Sequence, residues 1–467
     1  GGMDNGTLST MMCNTTGNRN TALGNSTLVK NTTADNNTAV GTLALYANTT
    51  GAKNSAFGVF ALENNTTGAE NVALGKDSLG ANTTGPNNTA VGTNSLRRNT
   101  EGEDNTAVGN LALCTNTTGD HNVAVGLSAL HKNTTADNNV AVGTCASGCN
   151  TDGHSNVSIG FSALCTNTTG DKNIAIGHQS LLSLATANEI VAIGYNSLRA
   201  LTTGTDNTAV GFEAGKSITT GDRNTAMGYL ALSTMTTVAD NTAVGYKAMT
   251  ANTSGSNNTA VGKDAMLANT TGANNVAIGQ NALETSTSGG ANTAVGQLAA
   301  QDLTTGAENT AIGHEAGNNI TTGTNNTLLG HEAGTDAVAN VVASNGNIVI
   351  GNNYSASAKI KIDWTVTSDL RDKTEIESVP HGLNFVNQIT PIKYRFKTSR
   401  ENDTPNGVTR YGFKAQEILA LEGDNPVLVD NGDTDNLKLT GAYLVPVLVN
   451  AIKELKARIE VLENEWS

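Results

Sequence analysis

A glycine recurs every 17 residues without a slip from Gly24 to Gly330, nineteen times in succession. A period held this long with no insertion means a solenoid in which every repeat stacks on its neighbours. Numbered from its first asparagine, the unit reads N-T-A-V-G-x-x-A-L-x-x-N-T-T-G-x-x, so Asn37 is position 1, Gly41 position 5 and Gly51 position 15. A twentieth copy, Asn347 to Gly351, comes four residues late. Position 4 is always Val, Ile, Leu, Met or Phe and position 2 is mostly Thr or Val, an alternation that suits a pleated surface. Two short strand pieces and one N-T-T-G turn are expected per unit, with position 4 turned inward as the core. The glycine at position 5 has no substitute, which predicts either a positive φ or an approach too close for a Cβ. At position 15 it gives way to Ala34, Ala136, Ala187 and Val238, so a left-handed backbone is not required there.

Parallel rungs stack ~4.8 Å apart, so nineteen make a rod on the order of 90 Å long. Each rung offers two large apolar side chains, at positions 4 and 9, and small alanines at 3 and 8. That is too little for one thin coil to offset ~1 to 2 kcal/mol of backbone entropy per residue. Three chains packed side by side would meet the deficit, the alanine and glycine face letting them approach and the asparagines at positions 1 and 12 stacking as amide ladders. Only 15% of residues are charged and the net charge is −14, which argues against nucleic acid or anionic lipid as a partner. No apolar run reaches the ~18 to 20 residues of a membrane span, so no membrane insertion is expected. The start carries no signal peptide, and Gly1-Gly2-Met3 looks like an appended remnant, with the natural attachment region expected upstream. Five cysteines without a CxxC pair read as free thiols made in a reducing cytosol. Cys149 and Cys165 sit at neighbouring repeat positions on adjacent rungs, where a bridge is feasible, whereas Cys114 and Cys165 are three rungs apart and too distant.

The S-V-A-I-G strands of trimeric autotransporter adhesin heads are similar to Ser158-Ile159-Gly160 and Ile190-Val-Ala-Ile-Gly194. The resemblance covers residues 18 to 351 and implies a trimeric left-handed parallel β-roll. A monomeric three-sided β-helix is the alternative.

Within the repeats, position 6 carries Phe161, His178, Tyr195, Phe212, Tyr229 and Tyr246 on six successive rungs. Such a stripe either stiffens the rod by stacking on itself or offers a platform to sugars. His314-Glu315 and His331-Glu332 recur one rung apart, a metal site if they converge and ordinary exposed pairs if they do not. The N-x-T triplets follow from the repeat itself. No cofactor is expected.

After residue 360 the composition changes. Five of the six prolines (Pro380, Pro391, Pro405, Pro426, Pro446) and both tryptophans lie there. Ser368-Asp-Leu-Arg-Asp-Lys373, Tyr394-Arg-Phe, Tyr411-Gly-Phe-Lys-Ala-Gln-Glu417 and a final helix, in that order, resemble the intramolecular chaperone domain of phage endosialidase tailspikes and many tail fibres. That resemblance spans about 100 residues. It implies a domain that assembles a trimer and then releases itself by a cut before the motif serine, here Thr367–Ser368. Ser368 would attack the Thr367 carbonyl and Lys373 would accept its proton, within one chain or across a trimer contact; Asp369 and Arg371 would hold the loop. A solvated charged turn is the plain alternative. Leu448, Ile452, Leu455, Ile459 and Leu462 step by 4, 3, 4 and 3, a coiled-coil seam. Ile at a with Leu at d nominally favours dimers, while the resemblance implies trimers.

The expected organisation is a partial or capping repeat at 1–19, a β-solenoid shaft at 20–354, a linker with the cleavage site at 355–367 and an α+β chaperone domain at 368–467. The functional expectation is a homotrimeric phage tail fibre, assembled in the host cytoplasm and carried on the virion. It would join an upstream tail protein and bind a host-surface receptor, a glycan among the candidates, and its one activity would be a single-turnover self-cleavage. A bacterial trimeric surface adhesin would need a secretion signal and an anchoring barrel, and a tailspike depolymerase would need a carboxylate pair that does not stand out in the repeats.

Overall fold

The computed structural model describes residues 10–335, 339–352, 354–355, 368–397, 400, 402–424, 426–432, 434–435 and 437–466. They form two compact units, one with the repeats up to Thr335 and Val341–Ile350, the other with the residues from Gly351 on.

In the first unit twenty three-residue strands, from Thr21–Leu23 to Ile348–Ile350, pair in one parallel sheet. Each position faces its equivalent 17 residues on, as Thr38 faces Ser55 and Val40 faces Phe57. The last step alone is longer, Thr327 facing Ile348. Mainly β, a parallel solenoid of 17-residue rungs, is therefore the architecture. One strand per rung forms rather than two, because positions 7 and 9 are left-handed (Leu43 φ 60°, Leu45 φ 52°) and turn the chain continuously. A left-handed leucine costs roughly 1–2 kcal/mol. Rung-to-rung hydrogen bonds such as Leu45 N to Ala61 O (3.0 Å) and Ala47 N to Glu63 O (2.9 Å) run through these turns and help offset that cost.

The expected inward face is inverted. Ala39, Ala44 and Leu45 are fully buried, and so are their equivalents along most of the rod, whereas position 4 is turned outward and partly or largely exposed in every strand. The coil is narrow: where leucine at position 9 fills it, only a small residue fits opposite at position 3, and Leu328 takes that place where Gly317 and Gly334 stand at position 9. The alanines thus line the chain's own interior and do not form a surface for close approach between chains. Outside, positions 2 and 4 make two parallel columns in which no residue is charged over all twenty strands. Where position 9 shrinks, position 12 grows, as in Gly215 with Ile218, Ala300 with Leu303 and Gly317 with Ile320.

Asparagine ladders flank the apolar column within the single chain. At position 12, Asn65 Nδ2 donates to Asn48 Oδ1 on the previous rung (2.8 Å) and to Gly68 O (2.8 Å). At position 1, Asn54 N donates to Asn37 Oδ1 (2.9 Å) while Asn54 Nδ2 donates to Gly68 O (2.9 Å). Threonines at position 13 add a hydroxyl ladder, as in Thr66 Oγ1 to Thr83 O (2.9 Å). The position 5 glycine answers to both constraints: Gly126 has φ +133°, and a Cβ there would lie 2.6 Å from Gly143 O.

The second unit is α+β. Strands Ile392–Lys397 and Pro405–Gly412 pair antiparallel, followed by helix Ala415–Glu422, a small pair Val429–Asp430 with Lys438–Leu439, and helix Leu444–Glu465. Phe385, Ile418, Leu428, Val429, Leu444 and Val447 form its core. One face of the last helix, Leu444, Val447 and Ala451, is buried in this unit. The neighbouring stripe of the same helix, about 70° round, carries Leu448, Ile452, Leu455, Ile459 and Leu462, all exposed, with Ile452 at 65%.

Candidate active site

Ser368 and Lys373 are five residues apart, further than a straight strand could close. Asp369 makes the bend: its Oδ1 accepts the Arg371 N–H (2.9 Å), capping a 3₁₀ turn over Leu370–Asp372, and Lys373 N then bonds Leu370 O (3.2 Å). Arg371 folds back on the same carboxylate, Nη2 to Oδ2 at 2.6 Å and Nε to Oδ1 at 3.1 Å. Those bonds hold Asp369 below the usual carboxylate range, so the clamp persists until pH falls through that lowered value. Folded this way, Lys373 Nζ lies 2.8 Å from Ser368 Oγ and 3.2 Å from Ser368 O. An amine at that distance can take the hydroxyl proton once it is itself unprotonated, which desolvation or a nearby cation promotes. Both side chains are exposed in the single chain. Thr367 and the rest of the expected linker from residue 356 lie outside the described residues.

Elsewhere in this unit, carboxylates that no sequence motif marks fix the backbone. Glu422 accepts the N–H groups of Val427 (2.9 Å), Leu428 (2.7 Å) and Val429 (3.1 Å). Glu454, on the last helix, accepts Leu383 N (2.7 Å), and Asn450 beside it donates to His381 O (3.0 Å). The last helix thereby holds the segment that follows the Ser–Lys turn.

In the shaft, the rings of Phe161, His178, Tyr195, Phe212, Tyr229 and Tyr246 stack in one column, centroids 5.0–5.3 Å apart and planes within 18° of parallel. Rings side by side in one plane would need about 6.5 Å or more between centroids, so the column presents edges rather than a flat platform. His314 and His331 stack likewise at 5.2 Å, each beside its own glutamate (3.7 and 3.5 Å). Among the described residues no three His, Cys, Asp or Glu side chains converge as metal ligands would. The asparagines of the position 12 triplets, such as Asn48 and Asn65, are fully buried, so these triplets offer no acceptor for N-linked sugar.

No curated protein and no solved structure matches the chain. Residues 368–427 match the family model described as chaperone of endosialidase, a match that opens on Ser368 itself. The segment that carries the Ser–Lys turn is thus similar to that chaperone, which supports an intramolecular chaperone at the C-terminal end of a β-solenoid.

Proposed function

We propose that the chain is the distal part of a homotrimeric bacteriophage tail fibre, whose shaft is a spacer and whose C-terminal unit assembles the trimer and then cuts itself off between Thr367 and Ser368. One observation carries the reading: the chaperone match begins at the serine whose Oγ lies 2.8 Å from Lys373 Nζ. In the proposed reaction Ser368 Oγ bonds to the Thr367 carbonyl carbon as its proton passes to Lys373. The Thr367–Ser368 C–N bond then breaks, the Ser368 amine takes up a proton, and water hydrolyses the resulting ester. Two exposed surfaces on one chain support self-association, the uncharged strand face with its apolar column at position 4 and the seam from Leu448 to Leu462. On this reading the fibre is assembled in the host cytoplasm, joins the virion through an upstream tail protein and meets a host-surface receptor, for which a glycan is one candidate.

The test is a denaturing gel, boiled and unboiled, with intact masses. Wild type should give a trimer whose shaft ends at Thr367. Ser368→Ala and Lys373→Ala should give trimers of the uncut 47.8 kDa chain. A cut elsewhere, or continued cutting in Ser368→Ala, excludes the dyad; a monomeric shaft excludes the assembly.

A further inference from the structure

The apolar column of the shaft is breached at one place. From Leu28 to Ala146 the buried leucines and alanines form a single cluster, which then stops. The next inward residue, at position 9, is Ser147 in place of leucine, and the alanine expected at position 3 of the following rung is Ser158. Their hydroxyls bond each other at 2.9 Å, both fully or almost fully buried. Position 12 does not compensate, since Asn150 stands where the rungs of Gly215, Ala300 and Gly317 place Ile or Leu. Among the described rungs no other pairs a polar residue at 9 with an asparagine at 12. This stretch therefore buries less apolar surface than the rungs before it.

Three of the five cysteines lie on these two rungs, Cys145, Cys149 and Cys165. Cys149 N donates to Cys165 O at 3.0 Å. That bond keeps the two Cα atoms within about 7 Å, close to the ~4.4–6.8 Å spanned by disulfides. Burial is the main cause that pushes the Cys165 thiol above its ordinary range, and the nearby Cys149 and Cys145 add to it. Both residues are partly exposed, so a small oxidant can reach them.

We propose that Cys149 and Cys165 are an oxidation site whose disulfide staples the two rungs where the apolar column is broken. With glutathione disulfide as oxidant, the Cys149 thiolate attacks one sulfur and releases one glutathione. The Cys165 thiolate then attacks the Cys149 sulfur and releases the second. Two thiols lose two electrons and two protons, and one glutathione disulfide becomes two glutathiones. The site would stay open in a reducing cytosol and close outside it.

The test incubates the full chain in glutathione redox buffers at pH 8, followed by non-reducing peptide mapping and native-state hydrogen exchange. A linked peptide joining Cys149 to Cys165, two hydrogens lighter than the reduced pair, is expected in wild type and in Cys145→Ser, and none in Cys149→Ser or Cys165→Ser. Closing a loop of about one rung should slow exchange at amides 143–166 on the order of a hundredfold, with distant rungs unchanged. Thiols that stay free, glutathione adducts without a link, a bridge through Cys145, or a link without local slowing would each overturn the proposal.

Discussion

The position 12 ladder makes a quantitative prediction about coupling between rungs. Asn116 Nδ2 donates to Asn99 Oδ1 (2.8 Å) and Gly119 O (2.8 Å), and its own Oδ1 accepts Asn133 Nδ2 (2.9 Å). Leucine fits this position, since Leu184 and Leu201 occupy it beside Leu181 and Leu198, all buried. In Asn116→Leu, Gly119 O keeps its bond from Asn105 Nδ2 (2.8 Å) and Asn133 Nδ2 keeps Ala136 O (2.9 Å). The buried Asn99 Oδ1 is left with nothing. An orphaned buried acceptor costs ~1–3 kcal/mol, or about 5- to 150-fold in local opening. Asn133→Leu should cost the same by orphaning Asn116 Oδ1. The double variant removes that second acceptor along with its donor, so only Asn99 Oδ1 is orphaned and the cost should equal that of one substitution. A long repeat array does not unfold in two states, so the readout is native-state exchange at the amides of the flanking rungs. Additive costs in the double-mutant cycle would refute the reasoning. The native chain follows the same rule: asparagine is replaced at this position in runs, Leu184 to Met235 and Ser286 to Ile320. At Ser286, where the second run opens, both its own Oγ and Asn269 Oδ1 are buried without a partner.

Three further outcomes follow from the geometry. Val125→Asp, on the outward strand face, should leave each rung folded but abolish trimers in sedimentation, whereas Ala124→Asp, at a fully buried site, should unfold its neighbourhood and appear as local proteolysis. Glu422→Ala frees three backbone N–H groups and should destabilise the C-terminal unit by at least ~1.5 kcal/mol, seen in denaturant melts of the second unit's signal. Burial pushes the Cys114 thiol up, so near pH 8 it should alkylate more slowly than the exposed Cys13, the gap narrowing as pH rises through the raised value; equal rates under native conditions would contradict this.

The period, the strands and the role of the position 5 glycine were legible because each leaves a compositional trace at a fixed interval. The inside–outside assignment was not. Alternation places positions 2 and 4 on one face and 3 on the other, yet nothing in Thr38-Ala39-Val40 says which face is inward, and the larger side chain was the natural choice. The cross-section of the coil decides it, and that depends on left-handed leucines such as Leu45, which no propensity predicts. The proximity of Ser368 and Lys373 was partly legible, since five residues demand a turn, but the clamp between Asp369 and Arg371 that builds this turn emerges only with the backbone. Glu422 and Glu454 carry no motif, because their partners are backbone groups of segments whose placement is tertiary.

The uncharged strand face has a consequence for timing. Columns of near-identical residues repeated twenty times look almost the same after a shift of one rung, so three chains misaligned by one step would keep about nineteen twentieths of their contacts. Such a surface has many nearly equal minima and little tendency to select among them. Correcting an error would require peeling apart the whole length, so a slipped fibre, once zipped, would stay slipped. On the proposed reading alignment is therefore decided before zipping, at the end where the seam from Leu448 to Leu462 brings three chains level. Once zipped, the fibre keeps that alignment by kinetics alone, and the domain that set it can leave without the information being lost.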